Sequence, residues 1–384
     1  MTPPRRGTPD FLLLFLTFLL VCFGLAMVFS SSSMTTAYTK GDPWFFTKRQ
    51  LMAVGIGTVF MLFCMNVHFT KLKKLVLPAF LVILAMLILV PFIGIDTKGA
   101  HSWFYIGSFG LQPTEFAKLT IILYLASLIS NKDEKFRDFK KGLLPALLVV
   151  GFVCFLIMLQ PDLGSCMIVM ACAAIVILVG GANLKHLFYL GTSFGAIGAM
   201  GIALYLLRGS STQQNYRVDR LTSFMDPWSH QLDEGYQIVQ SLFAFGHGGL
   251  TGAGFGQGIQ KLHYLPEAHN DFIFSIIGEE LGFIGSALFL LIYLLFIWRG
   301  ILIAVRCPDS FGMLTGVGIM GMIGFQAVIN VGGVTSTIPL TGVTLPLISY
   351  GGSSMMATLI SMGILLSISR EQNRLSPSTT SKRT

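Results

Sequence analysis

Ten apolar runs constrain this chain more than any other feature. They cover residues 11–30, 51–67, 75–95, 115–129, 143–159, 165–181, 184–207, 272–298, 311–331 and 348–368. A helix needs about 20 apolar residues to cross a bilayer. Inside lipid every backbone N–H and C=O must be satisfied within the protein, so helices are the expected solution. Composition agrees: 53% of residues are hydrophobic and only 11% are charged, against about 25% charged in a soluble domain. The expected fold is all-α and polytopic, with about ten transmembrane helices forming one domain over 11–370. Residues 1–10 are read as a cytoplasmic N-terminus and 371–384 as a disordered cytoplasmic tail. The Arg5–Arg6 pair precedes a run that is long for a signal peptide and has no clear small-residue cleavage site. It is therefore read as a retained first span.

Ten spans make the connecting segments alternate between two sides. Most of the 26 Lys and Arg residues fall on one side: Arg5, Arg6, Lys71, Lys73, Lys74, the 132–141 turn, Lys185, Arg299, Arg306 and the tail. The positive-inside rule then puts both termini in the cytoplasm of a multi-pass membrane protein. The net charge of +8 follows from this topology and gives no reason to expect a nucleic-acid partner. The six cysteines lie in apolar runs or a short loop without metal spacing, and read as packing residues rather than disulfides. No internal repeat is visible.

Polar chemistry concentrates on the outer side. The connection 208–270 is long enough to expect order and function. It holds a glycine-rich run, GHGGLTGAGFGQG, and a stretch at 236–245 that reads as a short amphipathic helix in the interface. The glycines lack the strand–loop–helix setting of a nucleotide loop, and close backbone packing on the membrane surface explains them better. The next stretch, LPEAHNDFIFSIIGEELG at 265–282, sets a polar loop end against an apolar run. Asn270 is a candidate helix N-cap, placing Asp271 in the first turn. There Asp271 either complements the helix dipole or acts as a base at membrane–water depth. Glu279 and Glu280 lie about 12–14 Å deeper. With Glu115 and Lys118 they are cavity ion-pair candidates: Lys118 can pair with Glu115 at i,i+3 or across with Glu279 or Glu280. A structural pair that fixes helix packing fits as well as a catalytic one. Arg217, Arg220, Lys261 and Lys98 are outer cations, suited either to lipid and solvent or to a pyrophosphate. Asp162 reads as the cap of the sixth span. His101, His247, His263 and His269 have no zinc spacing, so no metal is assigned. These features fit an enzyme acting on a lipid-linked substrate, and fit a lipid transporter equally.

Six stretches then carry a resemblance: GAHSWFYIGSFGLQPTEFAK, QPDLGS, RLTSFMDPW, EGYQIVQSLFAFGHGGLTGAGFG, LPEAHNDFIFSIIGEELG and PLTGVTLPLISYGGSS. Together, and in this order, they resemble the SEDS family (shape, elongation, division and sporulation), nearer its FtsW and SpoVE branch than RodA. The resemblance implies a peptidoglycan glycosyltransferase that polymerises lipid II at the outer face, in division or sporulation. Asp271 takes the position of the family's essential aspartate, with the implied role of general base toward the acceptor's hydroxyl. Undecaprenyl pyrophosphate would leave, with inversion. Arg217, Arg220 and Lys261 are candidates to neutralise it, with Lys98 and His269 as further binding candidates and Mg or Mn as a divalent cation that could share the task. Glu115 and Lys118 would hold the central cavity's shape and charge. The implied partners are lipid II, the nascent glycan strand, a class B penicillin-binding protein as transpeptidase, and other membrane proteins of the division complex. A lipid II flippase and a scaffold without turnover are the alternatives. The chain departs from the family at three points. Asn270 stands for the usual Thr, His101–Ser102 for a segment that usually carries a cation, and Leu347 for a usual Phe.

Overall fold

The computed structural model describes residues 7–97, 100–106, 109–183, 185, 186, 224, 226–229 and 235–375. Six helices come first: α1 (Phe11–Lys40), α2 (Phe45–Asn66), α3 (Phe69–Ile93), α4 (Pro113–Lys132), α5 (Leu144–Met158) and α6 (Leu163–Val179). Four follow: α7 (Tyr236–Gly248), α8 (Ile273–Val305), α9 (Ser310–Val334) and α10 (Gly352–Leu375). Among the described residues eight helices are long and apolar enough to cross a membrane, and α6 is a shorter apolar one. The chain is a multi-pass helical membrane protein. Most of the expected seventh span, 187–207, lies outside the described residues, as do Lys98, Arg217 and Arg220.

The helices sort by what they face. α3 is strongly apolar and mostly uncovered, while α10 is the least exposed span although it is less apolar. Its Ser353, Thr358, Ser361, Ser367 and Ser369 are all buried. In lipid, apolarity gives no net drive between helices; close packing and internal hydrogen bonds do. Ser361 satisfies its hydroxyl on the Ala357 carbonyl, one turn back, at 2.7 Å. Gly363 lets α10 close on α2, where any Cβ would collide with the Met61 backbone. Large exposed apolar residues such as Leu81, Val82, Phe283, Leu288 and Leu291 form the lipid-facing surface.

Both described ends of the chain meet at one end of the bundle. Asp10 caps α1 by accepting from Leu13 N at 2.9 Å, and Arg299 grips the same carboxylate with Nη2 at 2.5 Å. Arg370 donates to the Gly7 carbonyl at 3.0 Å. α10 runs on through Leu375, and His68 Nε2 meets Glu371 Oε2 at 3.2 Å. Residues 371–375, assigned by composition to a disordered tail, are therefore helical, because tertiary contacts extend the last span.

The opposite end carries a small sheet that the hydropathy pattern does not announce. β1 (Ile95–Thr97), β2 (Ala100–Ile106) and β3 (Phe109–Leu111) form an antiparallel meander between α3 and α4. Its pattern is aromatic and β-branched, which suits strands. Ser353 at the start of α10 fixes it: Oγ accepts from Gln112 N at 2.9 Å and donates to the Gly110 carbonyl at 3.0 Å.

Candidate active site

The segment 265–282 leads into α8, but not as its capping residues suggest. α8 begins at Ile273, and Phe272, not Asn270, occupies the cap position. Asn270 turns back instead, its Nδ2 donating to Glu267 Oε2. Asp271 thus stands just before the helix rather than in its first turn. Asn330 of α9 fixes its backbone: Nδ2 donates at 2.7 Å both to the Asp271 carbonyl and to the Val343 carbonyl. That one amide joins Asp271 to the 335–351 connection, and Gly342 brings that connection against Asp271, since a Cβ there would lie 3.7 Å from Oδ2.

α8 is broken at Gly282, whose φ of 68° and ψ of −170° leave the helical region. A break frees backbone groups, and each one left unsatisfied in lipid costs several kcal/mol. The glycine run supplies them. Ala253 and Gly254 donate to the Glu279 and Glu280 carbonyls at 2.9 and 3.0 Å, and the Gly249 and Leu250 carbonyls accept from Phe283 and Ile284 at 2.9 and 3.1 Å. Gly252, with φ of 86°, lies so close to α8 that a Cβ would collide with the Glu280 carbonyl. The run is a wedge in a broken helix, and the close backbone packing expected of its glycines is made against α8. α7 leads into it, close to the 236–245 helix expected from sequence.

Glu279 and Glu280 hold this wedge. Glu279 Oε1 accepts from Ile259 N at 2.7 Å and meets His247 Nδ1 at 2.9 Å. Glu280 accepts from Lys261 Nζ at 2.5 Å, Ser30 Oγ at 2.6 Å and Gly256 N at 3.0 Å. Both carboxylates are fully buried, and Lys261 is 4% exposed. Two sequence expectations are corrected. Glu279 and Glu280 do not join Lys118, and Lys261 is not an outer-cavity cation. A buried charge must be paired, and Glu280 is the partner that Lys261 finds.

The cavity lies elsewhere at the same end of the bundle, opposite the chain ends. It has a volume of about 640 Å³. Six parts of the fold converge on it: the starts of α2, α4 and α6, the sheet, and the segments before α8 and α10. Among its lining residues are Arg49, Glu115, Lys118, Asp162, His269 and Asp271. Glu115 and Lys118 form the i,i+3 pair, Nζ to Oε1 at 2.7 Å, with Lys118 1% exposed. Asp162 caps α6 by accepting from Ser165 N at 2.9 Å. His269 packs against the Phe46 and Tyr350 rings, with centroids 4.1 and 5.5 Å away. Burial pushes the Tyr350 phenol up, and the Arg49 guanidinium beside it pulls the other way. Arg49 also lies 4.3 Å from the Phe45 ring centroid. The charge pattern of the sequence does not single out Arg49. Its neighbours on the chain, Phe45 and Phe46, are the signal available in sequence, but the cavity's other walls come from distant segments. The side chain of His101 is outside the described set. Among the described residues no three His, Cys, Asp or Glu groups converge to hold a metal ion.

A helical membrane protein with a charged, carboxylate-bearing cavity at one end of its bundle is built to bind a polar group while its apolar helix faces sit in lipid. The family model described as cell cycle protein (FtsW/RodA/SpoVE) matches residues 10–374. This chain is 44% identical over 370 residues to stage V sporulation protein E of Bacillus subtilis (strain 168), covering 95% of this chain and 98% of that protein. It is 38% identical over 362 residues to the probable peptidoglycan glycosyltransferase FtsW of Geobacter sp. (strain M18), covering 94% of this chain and 96% of that one. A chain solved in work on the structural coordination of polymerization and crosslinking by a peptidoglycan synthase complex superposes with a TM-score of 0.77. It has 30% identity, and the match covers 95% of this chain and 98% of that chain. The chain belongs to the FtsW/RodA/SpoVE family.

Proposed function

We propose that Asp271 is the general base of a glycosyl transfer that polymerises lipid II at the outer face of the bacterial inner membrane. The chain itself is a peptidoglycan glycosyltransferase, the activity that names its FtsW relatives over 94% of its length. The observation that carries the finer reading is the place of Asp271: on the wall of a cavity of about 640 Å³ that also presents Arg49 and Lys118. In this reading the Asp271 carboxylate takes the proton from the acceptor sugar's 4-hydroxyl. The hydroxyl oxygen bonds to the donor's anomeric carbon as the bond to the pyrophosphate oxygen breaks, inverting that carbon. A pyrophosphate leaves as an anion, so it needs charge neutralisation more than a proton. Arg49 suits that task through its forked donors, while the Lys118–Glu115 pair shapes the wall beside it. Lys261 is committed to Glu280 and takes no part. A divalent cation that shared the task would be held by the pyrophosphate with one or two carboxylates. A class B penicillin-binding protein is the proposed partner, on the strength of the likeness to a peptidoglycan synthase complex.

The test is glycan-chain formation from purified lipid II with wild type and Asp271→Asn, each with and without the transpeptidase. Polymer from wild type alone is the expected outcome. Polymer from Asp271→Asn would remove Asp271 from the role of base. Transbilayer movement of lipid II without polymer would favour a transporter.

A further inference from the structure

Trp103 and Tyr105 take no part in the chemistry above, yet both line the cavity. They stand two residues apart on β2, so their side chains share one face of the strand. Phe104, between them, is absent from the cavity wall. Gly110 lies opposite Tyr105 in register. A Cβ there would sit 3.1 Å from Trp103 Cε3 and 3.4 Å from Tyr105 Cε1. Both rings therefore lie over bare backbone, and a side chain at 110 would lift them. The floor beneath is anchored, because Ser353 Oγ bonds both the Gly110 carbonyl and Gln112 N. Tyr105 is 46% exposed and Trp103 half-buried. Large aromatic rings facing an aqueous cavity leave apolar area uncovered that a ligand can bury.

The structure assigns this pair as a stacking platform for a sugar ring of the lipid-linked substrate. The flat face of a pyranose carries a patch of C–H groups, and an aromatic face presents the negative side of its quadrupole to them. The sugar's hydroxyls need polar partners around its rim. Gln112, Glu115 and Asp162 line the same cavity. The rings and the cations line one cavity; in this assignment the rings read the sugar and Arg49 reads the phosphates. The assignment rests on the glycosyltransferase reading and adds to it the element that recognises the carbohydrate.

The experiment compares two ligands in nanodiscs: lipid II, which carries the disaccharide, and undecaprenyl pyrophosphate, which does not. Equilibrium binding is measured for wild type, Trp103→Ala, Tyr105→Ala and Trp103→Phe. Each alanine variant is expected to bind lipid II about tenfold more weakly, equivalent to about 1.4 kcal/mol. Each should still hold undecaprenyl pyrophosphate within about twofold, and Trp103→Phe should keep most of the lipid II affinity. Equal loss on both ligands would make the residues structural supports and overturn the platform. Unchanged lipid II affinity in both alanine variants would overturn it too, as would a wild type that binds the two ligands equally. Failure of the polymerisation reading shows separately, as glycan chains made by Asp271→Asn.

Discussion

Two acidic stations stand on one stretch of chain, eight or nine residues apart, and the fold treats them in opposite ways. At Glu279 and Glu280 the carboxylates are fully buried and each accepts several hydrogen bonds. Their partners come from the glycine wedge, from α1 and from Lys261. At Asp271 Asn330 ties down the main chain, and the residue lines a cavity of about 640 Å³. A carboxylate saturated with donors is a fastener: its charge is spent on holding two segments together, and moving it exposes an unpaired ion. A carboxylate on a cavity wall can meet a ligand without first breaking the fold. Intramembrane carboxylates mark function by default, but the pair at 279–280 shows that the function can be structural. A helix broken at Gly282 needs its backbone groups satisfied, and the wedge that satisfies them needs an anchor.

The comparison makes predictions that separate activity from stability. The largest effect is on rate. Asp271→Asn should reduce glycan-chain formation by about 10²–10⁴ with the thermal unfolding midpoint unchanged; a matching loss of stability would blur the two stations. Glu280→Ala should do the reverse to the fold, costing about 3–5 kcal/mol by stranding Lys261. It is read as a lowered midpoint in detergent or nanodiscs, and Glu280→Ala combined with Lys261→Met should recover part of the loss. A Glu280→Ala variant as stable as wild type would deny the fastener. Gly282→Ala should cost about 1–3 kcal/mol for the backbone conformation alone, with added loss because a Cβ would collide with Gly252 N. Its mark is faster hydrogen exchange or proteolysis confined to 246–261. The smallest effect joins the stations' two properties. Asn330→Ala should cost about 1–3 kcal/mol for the carbonyls it leaves behind. It should also lower the rate moderately, because Asp271 and the 335–351 connection lose their shared tie. Normal kinetics in that variant would show that Asp271 is positioned by other contacts.

Much of this architecture was legible in sequence where the rule is local. The apolar runs mark the helices because lipid forces each span to satisfy its own backbone, so each run shows the requirement by itself. The i,i+3 spacing of Glu115 and Lys118 offered the pair that forms as one of two alternatives, and Asp162 before Leu163 gave the cap of α6. Spacing was misleading at Asn270, which has the right residue type for a cap but is drawn to Glu267. It was silent about Arg49, and it placed Lys261 among the outer cations when it is one of the most buried charges described. Those outcomes depend on partners remote in the chain. Glu280 meets Ser30 across 250 residues, and no local pattern records that meeting. The three-stranded meander was hidden for a related reason: a short aromatic loop and a short aromatic sheet share a composition until α10 supplies Ser353 to pin one of them.

The sequence by itself determined a multi-pass helical protein and the family to which it belongs, because hydrophobic length and ordered motifs are properties of the chain alone. Tertiary structure decided which charges are available. It buried Glu279, Glu280 and Lys261 in a fastener, since a broken helix in lipid must be repaired with hydrogen bonds. It set Asp271, Arg49, Lys118 and the Trp103–Tyr105 face around one cavity, since only the packing of elements distant in the chain brings those residues to a common wall.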